Sequence, residues 1–318
     1  MDIRVWYGHS QRFGHLGVPQ RWVNILGSVA GAQAPVRLTY RLNRGRDHPL
    51  STGPDGLRLR GDGDFNAEIL CEDLRPGANQ VLLSATDGAG CTVTETVDVH
   101  YVPDTRWSLP YHANLRLGHP LPDAVQVVEG QWLKTPLGIR PKHPSYDRLV
   151  AVGDRTWTDY RVRVTATVHG FVDGACGVLQ GGFGLLMRWT GHYADGNQPC
   201  GEWRPSGAIG WYRARWEDQP APHRNLNISD GVVKDEALVE TRPLTLDPDR
   251  PHIFECSVRS QPGGTSLYRY RVWPAGSSDE LLCDLSTEGR PGESPSGSLL
   301  LIALYADVTL HEIEAELP

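Results

Sequence analysis

The densest cluster of side chains able to do chemistry lies between residues 184 and 217. Gly184-Leu-Leu-Met-Arg-Trp-Thr-Gly-His192 is followed by Glu202-Trp203 and by Trp211-Tyr-Arg-Ala-Arg-Trp-Glu217. Arg188, Trp189, His192, Trp203, Trp211, Tyr212 and Arg213 combine flat apolar faces with hydrogen-bond donors. Sugar rings stack their C–H sides on such faces while charged or amide groups take the hydroxyls, so this set reads as ligand-binding. The competing reading places Trp189 and Trp216 in a core; at least two of Trp189, Trp203, Trp211 and Trp216 are expected to be buried. Acid–base candidates in the same stretch are His192, Glu202, Tyr212 and Glu217, with Asp218 and Glu255 as further acids. A glycosidase needs two carboxylates about 5 Å apart to retain, or about 6.5–9.5 Å apart to invert, and no spacing here singles out such a pair. A polysaccharide lyase needs a Tyr or His acid–base with a group that neutralises a uronate. Tyr212, His192 and Arg188 are the right types, so the catalytic residues stay unknown and an enzyme stays open.

Other chemistries find less support. Glu312-Ile-Glu-Ala-Glu316 puts three acids on one face of a strand at period 2. The apolar phase shifts between Leu310 and Ile313, which implies a bulge, and the run reads as a solvated edge. No His-x-x-x-His or His-x-x-Glu-His occurs, so zinc-protease spacing is missing. Gly181-Gly-Phe-Gly184 lacks the Lys-Ser/Thr and following helix of a phosphate-cradling loop, and no Gly-x-Ser-x-Gly elbow is present.

A net charge of -7 opposes nucleic-acid backbone binding, and no run reaches transmembrane length. Only three of the 31 Lys and Arg residues are lysine; this reflects codon bias or a use for planar guanidinium groups on carboxylates, sulfates or sugar hydroxyls. Six cysteines lie at positions 71, 91, 176, 200, 256 and 283 without a Cys-x-x-Cys pair. Residues 1–20 hold no apolar signal core, so a native start at Met1 implies the cytoplasm, and a removed signal peptide implies the cell exterior. In the second case Cys176–Cys200 and Cys256–Cys283 are expected disulfides; in the first they are small buried hydrophobes.

Turn dipeptides recur along the chain, and no amphipathic helical period persists, so the fold class is all-β. Strands are expected at Val36–Leu42, Leu57–Arg60, Phe65–Leu70, Gln80–Thr86 and Cys91–Tyr101. The run Gly63-Asp-Phe65…Leu74-Arg-Pro-Gly-Ala-Asn79…Ala85-Thr-Asp-Gly88 resembles bacterial Ig-like modules, which implies an Ig-like sandwich over residues 1–102. Such modules are usually spacers. Trp6, Tyr7 and Phe13 precede the matching run, which covers residues 20–102; they plug a groove, form an edge strand or line a site at the domain junction. Residues 103–106 form a short linker, too short for free swinging.

Residues 107–318 supply about twenty strand-length pieces or turns, enough for two sheets of about six or seven strands. Alternation places Tyr160, Val162, Val164, Ala166 and Val168 on one face and Arg161, Arg163, Thr165, Thr167 and His169 on the other. Tyr268–Trp273 and Trp211–Trp216 split likewise, so several strands show arginines on one side, either as solvated decoration or as a groove for an anionic or hydroxylated glycan. Tyr146–Val164 and Gly297–Leu310 read as opening and closing strands of one sandwich. Together these runs resemble the concanavalin A-like lectin/glucanase superfamily, in its laminin-G-like branch. That resemblance implies a jelly roll that binds an oligo- or polysaccharide, with no required cofactor. Its relatives often hold a structural Ca2+ through rim aspartates, for which Asp307, Asp147 and Asp154 are weak candidates. Glucanases of the superfamily carry Glu-x-Asp-x-Glu on a central concave strand, from which Glu312–Glu316 departs by its middle Glu and terminal position. A glycan-binding protein, a glycan-active enzyme and a non-catalytic adhesion or assembly protein all remain open.

Overall fold

In the computed structural model residues 1–116, 118, 120–172, 181–201, 206–214, 223–228, 237–238, 242–277, 280–290 and 293–318 are described. The first sandwich comprises β1 (Asp2–Val5), β2 (Ser10–Phe13), β3 (Trp22–Ala30), β4 (Arg37–Leu42), β5 (Asp47–Leu50), β6 (Asp64–Leu70), β7 (Gly77–Thr86) and β8 (Thr92–Tyr101). One sheet runs β1-β3-β6 and the other β2-β8-β7-β4-β5, with β2 parallel to β8. The two sheets pack as a small β-sandwich, antiparallel apart from the β2–β8 pair. Its core gathers Val23, Ile25, Phe65, Ala67, Val81, Leu83 and Val97 from the inward positions of both sheets. The aromatic N-terminal segment supplies the edge strands β1 and β2. Leu57–Arg60 is not a strand: it is an irregular segment in which Arg58 and Leu59 are buried.

The second sandwich continues with β9 (Tyr111–Asn114), β10 (Gln126–Glu129), β11 (Trp132–Thr135), β12 (Gly138–Pro141), β13 (Arg148–Val152), β14 (Tyr160–Phe171), β15 (Gly182–Trp189) and β16 (Ala208–Arg213). Then come β17 (His223–Ile228), β18 (Ala237–Leu238), β19 (Arg242–Pro243), β20 (His252–Ser260), β21 (Ser266–Pro274), β22 (Cys283–Glu288), β23 (Ser298–Leu304) and β24 (Ala306–Glu316). One eight-stranded sheet follows β10-β13-β23-β15-β16-β17-β18, with β19 beside β17. The other follows β11-β12-β24-β14-β20-β21-β22, with β9 beside β24. No helix among the described residues is long and apolar enough to cross a membrane.

Sequence pattern explains the difference between the sheets. In β14 and β21 apolar and polar residues alternate, so Tyr160, Val162, Val164, Tyr268, Tyr270 and Val272 enter the core while the arginines stay partly exposed. In β15 and β23 every residue is buried, as continuous apolar runs predict. Their second faces form a separate cluster around Leu186, Trp189, Trp211, Leu300 and Ile302. Two glycines permit the packing. A Cβ on Gly184 would stand 2.6 Å from the Trp211 ring, and one on Gly210 would stand 2.3 Å from the Tyr270 ring.

The expected run 297–310 divides at Tyr305, whose φ of 46° breaks it into β23 in one sheet and β24 in the other. β24 then lies against β14 from Phe171↔Ala306 to Arg161↔Glu316. The expected bulge is present: Thr165 faces Glu312 while Ala166 faces Leu310, leaving His311 extra. Since β24 has neighbours on both sides, its acids occupy a sheet face rather than an edge.

The cysteine expectations divide. Cys71, Cys91, Cys200, Cys256 and Cys283 are thiols outside any disulfide, and Cys176 lies outside the described residues. Cys256 and Cys283 sit on β20 and β22 with β21 between them, so their Cα atoms stand about two strand spacings apart, beyond disulfide reach. Both are buried as small hydrophobes, and burial pushes the Cys256 thiol well up from its ordinary pKa.

Candidate functional site

The aromatic cluster of residues 188–213 is in the interior. Arg188 is 1 % exposed and all its guanidinium nitrogens are committed. Nε and Nη2 donate to Thr158 O, Nη1 to Ser266 Oγ and Ser294 O, and Nη2 also to Ser260 Oγ. Glu293 and Asp159 lie 3.8 and 3.7 Å from it. This arginine ties β15 to the ends of β20 and β21 and to two loops; it is a cross-link, not a ligand contact.

Trp189 and Trp211 are both buried in the second apolar cluster, and the Arg213 guanidinium covers the Trp211 ring at 4.2 Å. Tyr212 points the other way, into the inter-sheet core, where its hydroxyl accepts a bond from Leu246 N at 3.2 Å. His192 is fully buried against the edge of Trp189. Burial, then the Arg58 charge, hold its pKa well below the ordinary value. Tyr212 and His192 therefore belong to different buried environments and form no acid–base pair. Glu202, Trp203, Trp216 and Glu217 lie outside the described residues.

The calcium expectation at Asp307 is also replaced. Its carboxylate is gripped by Arg140, with Nε to Oδ1 at 2.6 Å and Nη2 to Oδ2. A carboxylate already neutralised in bidentate fashion is a poor start for a six- to eight-oxygen Ca2+ shell. Asp154 is occupied too: it accepts from Val18 N, Trp107 N, Thr156 N and Thr156 Oγ1.

What the fold does present is a cleft where the two sandwiches meet. Several contacts fasten this junction. Leu26 of β3 enters the second sandwich's core, with Trp6, Tyr7 and Leu16 packed against it. The Tyr7 hydroxyl donates to Gly130 O and accepts from Trp132 N, each at 2.8 Å. On the far side runs a buried ionic network. Arg58 reaches Glu68 at 2.9 Å and Glu129 at 3.0 Å, while Asn66 Nδ2 donates to Val128 O and Glu129. Asn66 and Glu68 occupy the outer face of β6, where alternation predicts solvent, but the second sandwich covers them, with Glu129 supplied by β10.

The cleft has a volume of about 260 Å³. Tyr7, Phe13, Leu26 and Trp107 supply apolar wall, and Gln11 and Asp123 supply polar groups. His15 Nε2 lies 3.1 Å from Asp123 Oδ1. Burial lowers the His15 pKa, with Asp123 pulling the other way. Trp107 is 4 % exposed, yet its indole Nε1 has no hydrogen-bond acceptor among the described residues. Buried indole N–H groups usually find one, and this one belongs to a residue lining the cleft. The placement of Tyr7 and Phe13 answers to the aromatic N-terminus; nothing in the sequence marked Trp107 or Asp123, because their meeting depends on how the sandwiches dock.

No protein-family model matches the sequence, and no curated protein matches it. Among solved structures, the Ca2+-bound exoplasmic/lumenal domain of VIP36 is similar at 9 % identity and a TM-score of 0.43, over 64 % of this chain and 88 % of that one. The CBM2 module of Lactobacillus casei BL23 phage J-1 evolved Dit is similar at 9 % identity and a TM-score of 0.38, over 64 % of this chain and 93 % of that one. The architecture is therefore read from the chain's own strand order: a small β-sandwich docked on a larger two-sheet sandwich, with a cleft between them.

Proposed function

We propose that this protein recognises a carbohydrate in the cleft between its two sandwiches. The observation that carries the reading is the buried, acceptor-less Trp107 indole in a cleft that also offers aromatic wall and the partly exposed Asp123 carboxylate. A sugar presents both halves of that match: C–H faces for Tyr7 and Phe13, and hydroxyl oxygens and protons for an N–H donor and a carboxylate acceptor. A volume of about 260 Å³ suits a terminal residue or a short oligosaccharide end rather than a long polymer.

The test is a glycan array probed with the full chain, scored for retention and, by mass spectrometry, for product release. Retention without cleavage is expected. Asp123→Ala should weaken it by roughly 10- to 100-fold, the cost of one lost charge-assisted hydrogen bond, and Trp107→Phe should weaken it less. Retention unchanged in Asp123→Ala and in Ser10→Trp, which fills the exposed side of the cleft, would remove the cleft from the reading. No retention of any glycan would favour an assembly role.

A further inference from the structure

The acidic run at the end of the chain acquires a partner that the sequence does not reveal. β9 lies antiparallel to β24 with Glu314 opposite His112 and Glu312 opposite Asn114. The period-2 pattern then brings His112, Glu312 and Glu314 to one outward face. One ring nitrogen of His112 and one oxygen from each carboxylate lie within 4.8 Å of one another. His112 Nε2 and Glu312 Oε1 already share a hydrogen bond. The neighbouring cation does not fill the position: Arg163 commits its Nε to Glu255 and reaches Glu314 only at 3.9 Å.

We propose that His112, Glu312 and Glu314 form a binding site for a divalent transition-metal ion, Zn2+ being the best match. Zinc takes imidazole nitrogen and carboxylate oxygen at about 2.0–2.2 Å, which places tetrahedral ligands roughly 3.3–3.5 Å apart. All three side chains are partly exposed, so rotamer changes alone can close the remaining distance. A neutral imidazole with two carboxylates cancels the dication's charge. The nitrogen ligand selects against Ca2+ and Mg2+, which prefer oxygen alone. Solvent reaches the open side of the triad, so a bound ion keeps at least one exchangeable position. In the fold it would fasten the four-residue β9 to β24, a strand pair otherwise held by backbone bonds, core packing and the His112–Glu312 hydrogen bond.

The experiment is isothermal titration of ZnCl2 into the full chain, freed of metal beforehand, alongside thermal melts with and without Zn2+. One saturable equivalent and an upward shift in Tm are expected. His112→Ala and Glu314→Gln should each weaken binding at least about tenfold and abolish the Tm shift. Glu316→Gln, on the same face but paired with Arg161, should change affinity by no more than about twofold. Circular dichroism identifies any variant that fails to fold, and Glu314→Gln is isosteric enough to stand in for His112→Ala. Absence of saturable uptake, or uptake that survives in both His112→Ala and Glu314→Gln, overturns the proposal. Glycan retention is a separate readout, because the cleft uses none of these residues.

Discussion

A guanidinium whose donors are all used behaves as a cross-link, and its energetic weight lies in what its removal leaves behind. Arg188→Met would strand the buried Ser266 hydroxyl and Glu293 carboxylate, and would leave the part-buried Thr158 and Ser294 carbonyls without their donor. Urea unfolding of Arg188→Met should show a loss of about 3–5 kcal/mol, whereas a ligand-contact role would leave stability nearly unchanged. The two close-approach glycines act through volume. Gly210→Ala pushes a methyl into the Tyr270 ring, and about 1–3 kcal/mol should be lost in the same assay with unchanged m-value. A signal against a ligand role for Arg188 and Trp189 was in fact legible. Gly184-Leu-Leu-Met has no alternation, and a strand without alternation is covered on both faces. Residue type alone pointed to sugar chemistry because Trp and Arg serve cores and ligands alike; only neighbours separate the two uses.

At the scale of elements, the jelly roll's polar face is organised as a row across six strands. Register places His112, Glu314, Arg163, Glu255, Arg271 and Asp284 side by side, with charge able to alternate at every step. Arg161, Arg163, Arg269 and Arg271 are therefore paired decoration rather than a free cationic groove. Glu255 is the deep member, 1 % exposed and bonded by both Arg163 and Arg271. Glu255→Ala should cost about 3–5 kcal/mol, since two guanidinium groups lose a buried counter-charge. Asp284→Ala, which removes a half-exposed partner of Arg269, should stay within about 1 kcal/mol. Equal costs from the two substitutions, measured by chemical denaturation, would contradict this ranking. The alternation of β14 and the bulge in β24 were readable because one face is apolar. Short strands such as β9 and β12 were not, since four residues carry too little pattern and depend on a partner already in place. The break at Tyr305 was hidden for a similar reason: a non-glycine residue in the left-handed region is imposed by packing.

At the scale of the whole molecule, docking of the two sandwiches buries groups that each alone would leave in water. Asn24, Asn66 and Glu68 look like ordinary outward positions in β3 and β6; the short hinge announces tight packing but not which faces meet. His192 shows what this burial does to titration. Its ring nitrogens make no hydrogen bond among the described residues, and Glu68, 3.5 Å away, is already bonded to Arg58, Asn24 and Cys200 N. The folded state therefore favours neutral imidazole, and so do the buried His252 and His311 environments. Because each folded pKa is depressed, the unfolded chain binds more protons once pH falls below about 6.5. The associated stability is complete above that pH and is lost as pH falls toward the folded values, at up to about 1.4 kcal/mol per pH unit for each histidine. His192→Phe keeps the ring's bulk and its contact with Trp189 while removing the titration. Its stability at pH 7.5 should stay close to wild type, and its decline between pH 6.5 and pH 5 should be shallower by about one proton's slope. Parallel acid profiles for the two proteins in urea titrations would show that His192 is already protonated in the folded junction, with Glu68 rather than Arg58 setting its charge.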